Sequence, residues 1–448
     1  MKNKKITFKL KRLNLSDVTY NYLNWFNDRE IKKYIINKKY KKLVDLKDYI
    51  NRINKDPNKL LLGIFVSGNN KHIGNIKFDN INNRTVNLGI LIGDKKFRNR
   101  RIGSHIIDIS VKHLNKRKNI KNFILGVKKT NLLAINSYKK SGFRFYKNFK
   151  NYMLMKLDLD LLNLNKISIG SAQFGMKYGI NNKLGKPSLA EIKKILNFAE
   201  KLGIRNIDTA VSYGKSEEVL GKAGVKNFKI TSKLPFIASN KKNYIQKIVK
   251  KSLMKLKKRY LENLLIHNSK NLNVNTGKIL SEMRKLKKKG MVKQIGASIT
   301  NLKDLVPFLK NHEVDIIQVP YNILDRRIEK NEIKNILLKK NIKVQIRSIF
   351  LQGLLFKKFK NLDSNFQNML IKNKKIKKFL NSAKSIKITK MLNLPYNYKN
   401  CENIIIGIER LKQLEQISKI KKVSPYITEN LKTYNDKIIN PSLWNKRT

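Results

Sequence analysis

From residue 166 onward the sequence alternates between short apolar runs and amphipathic runs in a regular order. The apolar runs are rich in Ile, Val and Leu, which favours strands, and the runs between them place apolar residues at helical spacing. In LAEIKKILNFAEKLG, for example, Ile192, Ile195, Leu196 and Ala199 share one helical face before Gly203 ends the helix. The predicted strands are Ile167–Gly170, Asn206–Thr209, Lys229–Lys233, Asn263–His267, Gln294–Ala297, Ile316–Val319, Lys343–Arg347 and Ile404–Ile406. Such an alternation predicts an α/β fold, a closed parallel (β/α)8 barrel.

The first part of the chain mixes short strands and helices without that alternation. Its predicted strands are Thr7–Lys11, Leu60–Val66, His72–Phe78, Val86–Ile92, Asn122–Val127 and Phe143–Leu157; its predicted helices are Ser16–Phe26, Asp45–Asn54, Ile102–Asn115 and Leu132–Lys140. A chain of 448 residues exceeds what one hydrophobic core usually organises, so we expect two domains. Their expected bounds are residues 1–158 and 166–448, with a linker at 159–165.

The chain is strongly basic, with 99 Lys and Arg against 30 Asp and Glu. A nucleic-acid-binding module concentrates charge on one segment or face, whereas here both parts are basic at nearly equal density, which favours a solvated lysine-rich surface. The single cysteine, Cys401, excludes an intrachain disulfide and fits a reducing compartment. The basic N-terminus lacks the apolar run of a secretory signal, and no apolar run approaches the ~20 residues of a membrane span. We therefore expect a cytoplasmic protein.

Residue types suited to proton transfer follow three neighbouring barrel strands. The segment NIDTAVSYG places Asp208 at the end of the second strand and Tyr213 in the loop after it. Lys233 ends the third strand and His267 ends the fourth. The C-terminal ends of barrel strands converge on one mouth, where the chemistry of this architecture occurs, so we expect these four side chains to meet. The five histidines lack the spacing of metal ligands, and no metal is expected.

The barrel part closely resembles the aldo/keto reductase family, whose catalytic tetrad is Asp, Tyr, Lys and His in this order. The resemblance covers essentially Lys166–Ser418 and includes the segments IGSAQFG, IDTAVSYG, GMVKQIGAS, IIQVPYN, RSIFLQGLL and IIIG. It implies a nicotinamide-dependent carbonyl reductase.

The chemistry of the four residues agrees with that implication. A carbonyl that accepts hydride develops negative charge on oxygen and needs a proton, and a phenol with an ordinary pKa of ~10 is a poor acid at neutral pH. A nearby ammonium stabilises the phenolate and makes proton release easier. We expect Tyr213 to be the general acid, Lys233 to stabilise its phenolate and Asp208 to hold Lys233. His267 is expected to donate a hydrogen bond that orients the substrate carbonyl.

The resemblance also implies contacts to the nicotinamide. Ser298 and Gln318 would hold its carboxamide, although Ile299 stands where the family usually has Asn. Arg347 occupies a position where an aromatic residue often stacks on the ring, and a planar guanidinium can stack there instead.

A further segment, IIIGIERLKQLEQI, resembles the cofactor-phosphate segment of the family. Gly407, Arg410 and Gln413 are its candidate contacts. Arg410 suits a ribose 2′-phosphate, so NADPH is expected, with NADH as the alternative.

The first part of the chain resembles the GNAT acetyltransferase fold, in the branch of ribosomal-protein and amino-sugar N-acetyltransferases, over roughly Ile6–Leu157. The resemblance rests on LGILIGDKKFRNRRIGSHII and NLLAINSYKKSGFRF and implies an α+β fold with a mixed sheet. The acetyl-CoA pyrophosphate needs backbone N–H groups at a helix N-terminus, which a loop at 98–104 would supply. Its candidate contacts are Arg98, Arg100, Arg101, Gly103 and Ser104.

Two further residues are implied for acetyl transfer. Tyr138 would protonate the departing thiolate, and Asn131 would position the coenzyme A arm. Two positions depart from the family: Arg101 stands in place of the first loop Gly, and Asn87 in place of a Glu that often serves as base. If the first position demands a glycine-only conformation, binding is weakened and the domain is an inactive scaffold.

These expectations combine into a bifunctional enzyme that transfers an acetyl group to an amine and hydride to a carbonyl. Both families contain members acting on nucleotide-linked sugars, so a role in making a modified amino sugar for a surface glycan is the working hypothesis. One alternative is a protein N-terminal or ribosomal-protein acetyltransferase fused to a general reductase. Another is a basic scaffold that binds nucleic acid.

Overall fold

The computed structural model describes residues 7–34, 40–98, 102–180, 182, 185–237, 243–267, 272, 275–301, 303–423, 431–433 and 435–444. The chain forms two compact units that divide between Asp160 and Leu161. Each unit has its own sheet.

The sheet of the first unit contains strands β1 to β7, in the spatial order β1-β2-β3-β4-β5-β7-β6. They are, in chain order, Phe8–Arg12, Lys59–Val66, His72–Asp79, Thr85–Ile92, Asn122–Lys128, Arg144–Asn148 and Tyr152–Asp158. Strands β4 and β5 run parallel, and the other neighbours are antiparallel. A parallel pair needs a crossover, which the helix Ile102–Lys118 provides. The mixed sheet predicted from the sequence is confirmed.

Helices cover this sheet: Tyr20–Asn27, Arg29–Lys32, Leu43–Lys55, Ile102–Lys118 and Leu132–Lys140, with single 3-10 turns at Leu15–Asp17 and Lys95–Phe97. The buried side chains of Ile107, Val111 and Leu114 pack against those of Phe78 and Phe123 in the core. The helix predicted at Ser16–Phe26 is wrong at its start. Asn14 caps the short turn and Thr19 separately caps the helix that follows, so the chain leaves helical geometry between them.

The single strand predicted at Phe143–Leu157 is also wrong. Two strands, β6 and β7, form a hairpin, and Phe149 N donates to Tyr152 O across the turn. The rings of Phe149 and Tyr152 stack 4.5 Å apart between their centroids, which stabilises the reversal.

The second unit contains strands β8 to β15, which form a closed parallel barrel in chain order, with β15 pairing β8. They are Ile167–Gly170, Asn206–Asp208, Lys229–Leu234, Leu261–Ile266, Val292–Ser298, Ile316–Pro320, Lys343–Arg347 and Cys401–Gly407. All eight predicted strands are confirmed, and the first and seventh match residue for residue.

Helices surround the barrel: Ala172–Gly175, Leu189–Lys201, Ser216–Ala223, Tyr244–Leu256, Thr276–Lys288, Leu305–Asn311, Asn331–Lys339, Ser364–Leu370, Lys374–Asn381, Lys384–Tyr396, Leu411–Ser418 and Asp436–Ile439. Shorter 3-10 turns lie at Leu164–Lys166, Arg327–Glu329, Leu351–Phe356, Phe359–Asn361 and Pro441–Leu443. The predicted apolar face Ile192, Ile195, Leu196 and Ala199 is buried. Among the residues that the structure describes, no helix has the length and apolar character needed to cross a membrane.

Candidate active sites

Neighbouring strand ends bring the four predicted proton-transfer residues of the barrel together. Asp208 is the last residue of β9, Lys233 lies near the end of β10, and His267 directly follows β11. Tyr213 lies in the turn after β9, where its N–H donates to Ala210 O. Parallel pairing of β9, β10 and β11 places these ends at one rim of the barrel.

Close packing holds the turn that carries Tyr213. A Cβ atom on Gly175 would lie 1.9 Å from Tyr213 O, so only glycine allows this approach of the two backbones. Ser216 Oγ donates to Ser171 O at 2.9 Å, and Ser171 Oγ donates to Asp208 O at the same distance. The turn is therefore fixed both to the first barrel helix and to the end of β9.

Lys233 is the centre of the group. Its Nζ donates to Asp208 Oδ2 at 2.6 Å, to Thr209 O at 2.9 Å and to Tyr213 OH at 3.3 Å. The Lys233 side chain is 0% exposed and that of Asp208 5% exposed. Burial acts to lower the Lys233 pKa, but Asp208 and Tyr213 outweigh it and raise the pKa above its ordinary value. A positive charge therefore lies beside the Tyr213 oxygen.

His267 faces the other side of Tyr213. The two rings meet edge to face with centroids 5.7 Å apart, and Ser212 Oγ is hydrogen-bonded to His267 Nδ1 at 3.1 Å. Burial, together with the charges of Lys233 and Arg347, lowers the His267 pKa to about 3. The imidazole is therefore neutral at physiological pH, which suits a hydrogen-bonding role and leaves proton donation to the phenol.

We expect the imidazole of His267 to show no protonation step between pH 8 and pH 5. The measurement is the histidine NMR spectrum of the full chain, in which the signal lost in His267→Gln should stay constant over this range. Because the folded pKa lies below the unfolded value of ~6.5, the unfolded chain binds the extra proton between these values. His267 therefore lowers the free energy of unfolding as pH falls from ~6.5 toward 3, by up to about 1.4 kcal/mol per pH unit. A signal that titrates near pH 6.5 would contradict the assignment.

A cavity of about 670 Å³ opens beside this group. Its wall includes Asp208, Tyr213 and His267 together with the predicted cofactor contacts Ser298, Gln318, Arg347, Gly407 and Gln413. Arg410 does not line the cavity: its Nη1 donates to Glu409 O, and Glu409 contributes to the wall instead. Gly407 leaves its part of the wall open, since a Cβ there would lie 2.4 Å from Gln173 Nε2. The size and polar lining fit a dinucleotide.

Ser298 and Gln318 present acceptor atoms to this cavity. Gln318 Nε2 donates to Asp208 Oδ1 at 2.8 Å and to Gln345 Oε1 at 3.1 Å, so both of its N–H groups are used. Ser298 Oγ donates to Gln318 Oε1 at 3.1 Å. The lone pairs that remain can accept from the amino group of a carboxamide. Ile299 is fully buried and offers no donor for the carboxamide oxygen.

Sequence reasoning missed the polar layer beneath the proton-transfer group. Gln345 Nε2 donates to Thr231 Oγ1 at 3.0 Å, and Asn263 Nδ2 donates to the same oxygen at 2.7 Å. Thr300, also missed, accepts a hydrogen bond from Arg347 Nη2 at 2.7 Å. The sequence could have predicted this layer. A polar residue within an apolar strand, such as Gln345 in KVQIR, points into the barrel when the residues on either side of it pack outward.

In the first unit, Tyr138 lies on the helix Leu132–Lys140 and packs against the core beside Phe143. Burial raises the Tyr138 pKa to about 12, so the phenol keeps its proton until a strong base forms next to it. Asn131 caps the same helix, its side chain accepting from Ala134 N at 3.1 Å. Gly103 allows close helix packing, since its Cβ would lie 2.9 Å from Ser137 Oγ.

The predicted pyrophosphate contacts are placed differently from the expectation. The Arg98 guanidinium faces Asp28, with Nη1 3.2 Å from Asp28 Oδ1, and its Nε donates to Ile92 O. These bonds connect Arg98 to Asp28 and to the end of β4, so its guanidinium makes contacts within the first unit. Ser104 O accepts from Ser141 Oγ. Arg100 and Arg101 lie outside the described residues. Asn87, where a base was sought, is exposed on β4.

Residues 166–438, more than half of the chain, match the model of the aldo/keto reductase family. This chain belongs to that family. Residues 8–144 match the GNAT acetyltransferase domain, so an acetyltransferase domain precedes the reductase domain. The two-part recognition made from sequence motifs is confirmed.

Relatives of the reductase part share about a quarter of their residues with it. An uncharacterized oxidoreductase, YqkF, of Bacillus subtilis is 27% identical over 218 residues, 45% of this chain. An NADH-specific methylglyoxal reductase of Escherichia coli is 27% identical over 219 residues, 43% of this chain. The match spans 66% of the length of each relative, just under two thirds.

A solved structure resembles the acetyltransferase part. Spermidine N-acetyltransferase of Vibrio cholerae, in complex with CoA and spermine, is 18% identical and has a TM-score of 0.31. It covers 34% of this chain and 95% of its own length.

Proposed function

We propose that the barrel catalyses reduction of a carbonyl compound by a nicotinamide dinucleotide. The observation that carries the proposal is the buried Lys233 Nζ, which donates to Asp208 Oδ2 and to Tyr213 OH, two groups that line a cavity of about 670 Å³. A buried ion pair such as Lys233 and Asp208 usually stabilises a fold no more than an apolar pair of similar volume would, so its position beside a phenol points to a catalytic role. It has a clear use in proton delivery.

The residues divide the work between them. The reduced nicotinamide, when bound, supplies hydride to the carbonyl carbon. Tyr213 donates its phenolic proton to the carbonyl oxygen, and the charge of Lys233 stabilises the phenolate that remains. Asp208 keeps Lys233 charged and in place. Neutral His267 donates a hydrogen bond to the carbonyl oxygen without competing for the proton. The products are an alcohol and the oxidised dinucleotide.

Ser298 and Gln318 are proposed to accept hydrogen bonds from the carboxamide amino group and so fix which ring face meets the substrate. Gly407 and Gln413 are proposed to line the rest of the dinucleotide site. The expectation of NADPH rests on Arg410, which directly precedes the helix Leu411–Ser418 but does not line the cavity, so NADPH and NADH are both candidates. Glu409 in the cavity wall supports NADH instead, since a carboxylate binds ribose hydroxyls and repels a 2′-phosphate.

The experiment is thermal protection of the full chain by NADPH, NADH and acetyl-CoA, each added separately. Either dinucleotide at 100 times its Kd should stabilise the folded protein by about 2.7 kcal/mol. When both are compared at the same concentration, the dinucleotide that stabilises the protein more is the preferred cofactor. No protection by either dinucleotide at millimolar concentration would refute the reductase proposal, while leaving the acetyl-CoA result to be judged independently.

The first unit is proposed to transfer an acetyl group from acetyl-CoA to an amine. The phenol of Tyr138 is proposed to protonate the thiolate that leaves. Asn131 would position the coenzyme A arm. The start of the helix Ile102–Lys118 would bind the pyrophosphate through backbone N–H groups, with Gly103 and Ser104 in its first turn.

Replacing Tyr138 by Phe should slow acetyl transfer at neutral pH by about 10²-fold or more, because the thiolate loses its proton donor. Binding of coenzyme A, measured by calorimetry, should change little. Tyr146→Phe is the matched control, since Tyr146 is exposed on the same unit. An unchanged rate in Tyr138→Phe would remove it from the acid role.

The substrates are proposed from the pairing of the two reactions in one chain. An N-acetyltransferase and a carbonyl reductase together can produce a modified amino sugar, and a basic surface attracts diphosphate-linked substrates. Acetylation of a nucleotide-linked amino sugar, assayed beside an N-terminal peptide, separates this proposal from a protein acetyltransferase. Transfer to the peptide alone would overturn it.

A further inference from the structure

Arg347 is a half-buried cation in the cavity wall, and its hydrogen-bond acceptors are neutral. Its Nη2 donates to Thr300 Oγ1 at 2.7 Å and its Nη1 to Ser348 Oγ at 3.2 Å, and both acceptors are neutral hydroxyls. The nearest acidic groups are committed elsewhere: Asp208 pairs with Lys233 and Asp325 with Arg327. Among the described residues, no carboxylate forms an ion pair with Arg347. A cation whose hydrogen-bond partners are neutral acts electrostatically on whatever the cavity binds, which points to a role in ligand binding.

Arg347 lies close to where hydride must be transferred. Arg347 is the last residue of β14 and pairs with Pro320 on the neighbouring strand β13. Gln318 lies on β13, two residues before Pro320. The charge of Arg347 is near enough to His267 to lower the pKa of that imidazole. The transferred hydride must reach a carbonyl whose oxygen contacts Tyr213. A nicotinamide held by Ser298 and Gln318 therefore lies within the field of the guanidinium.

We propose that Arg347 makes the site discriminate against the oxidised nicotinamide, so that the reduced dinucleotide binds more tightly and the oxidised product is released more readily. This inference rests on the proposed reductase function. The reduced ring is neutral, whereas loss of hydride, with its two electrons, leaves the ring with one positive charge. A fixed cation nearby repels only the oxidised form.

Neighbouring charges do not cancel this effect. Lys233 and Asp208 form a neutral pair, Asp325 is neutralised by Arg327, and the imidazole of His267 is uncharged. Two unit charges within a few ångströms at the border of a protein interact strongly enough to change a binding constant by about tenfold or more. An aromatic residue at position 347 would stack without repelling either form.

The test measures Kd for reduced and oxidised dinucleotide by calorimetry, in the wild-type chain and in Arg347→Gln. We expect the wild-type chain to bind the reduced form about tenfold more tightly or better, and Arg347→Gln to lower that ratio about tenfold, mainly by tightening the oxidised form. A tenfold change equals about 30 mV in the potential of the bound two-electron couple. Arg347→Lys, which keeps a charge, should retain part of the ratio.

ADP-ribose, or its 2′-phosphate, is the control ligand because it lacks the nicotinamide. Its affinity should be the same in wild type and Arg347→Gln. An equal loss of affinity for ADP-ribose and both dinucleotides would overturn the proposal and make Arg347 a phosphate contact. A wild-type chain that binds both redox forms equally would also overturn it, whether or not the variant folds. Absence of any dinucleotide binding would refute the reductase function itself.

Discussion

Tyr213→Phe should reduce the rate of carbonyl reduction by about 10²- to 10⁴-fold while leaving the dinucleotide affinity nearly unchanged. Among the described residues of the wall, the phenol is the group that both carries a proton and accepts a hydrogen bond from Lys233 Nζ, 3.3 Å away. Neutral His267 cannot replace it, since its pKa of about 3 leaves the imidazole without the second proton at neutral pH. The range follows from what a positioned general acid usually contributes.

Steady-state kinetics with the reduced dinucleotide saturating, followed by loss of its absorbance, measures this effect. The loss should be in kcat, because the proton is transferred in the transition state and not on binding. Tyr260→Phe is the matched control, an exposed tyrosine on the same barrel. Retained kcat in Tyr213→Phe would mean that another group supplies the proton.

Lys233→Met should impair both stability and activity. The substitution removes the ammonium and leaves the Asp208 carboxylate buried, with Gln318 Nε2 as its remaining side-chain donor among the described residues. Removing one partner of a buried ion pair typically costs about 3–5 kcal/mol of unfolding free energy. The phenolate also loses its stabilising charge, so kcat should fall by ~10²-fold or more. Urea denaturation and steady-state kinetics measure the two effects.

A double variant separates the charge effect from a packing effect. Asp208→Asn in the Lys233→Met background removes the unpaired carboxylate, so part of the lost stability should return, although activity should not. Lys229→Met on the same strand is the control, because the exposed pair of Lys229 with Glu262 should contribute no more than about 1 kcal/mol. If Lys229→Met and Lys233→Met lowered the free energy of unfolding equally, the buried pair of Lys233 and Asp208 would contribute no more to stability than an exposed pair.

The barrel and its proton-transfer group could be predicted because the signals are local and repeated. Strand–helix alternation fixes eight parallel strands, and their ends must meet, so Asp208, Lys233 and His267 could be placed together from their positions in the sequence alone. Tyr213, five residues beyond its strand, depended on a turn whose packing on Gly175 only the structure shows.

Other features depend on contacts that a sequence does not encode by position. The β6–β7 reversal falls in a segment without glycine or proline, where the stack of Phe149 on Tyr152 marks the turn. Arg98 fits a phosphate loop by position, yet a carboxylate distant in sequence, Asp28, is its partner. Arg410 was a candidate contact to a ribose 2′-phosphate, but Glu409 lines the cavity and Arg410 does not. In each case the contact that fixes the position of the side chain comes from a residue that the motif itself does not include.

We propose that hydride passes from a nicotinamide to a carbonyl beside Tyr213. Transfer of deuterium from dinucleotide labelled at C4 tests it most directly, with a panel of aldehydes, 1,2-dicarbonyls and keto sugars and mass spectrometry of the alcohols formed. We predict one deuterium on the former carbonyl carbon with the wild-type chain and a loss of at least 10²-fold in its rate of appearance with Tyr213→Phe. A wild-type chain that binds the labelled dinucleotide yet transfers no deuterium to any member of the panel, or a Tyr213→Phe variant that transfers it at the wild-type rate, would contradict the claim.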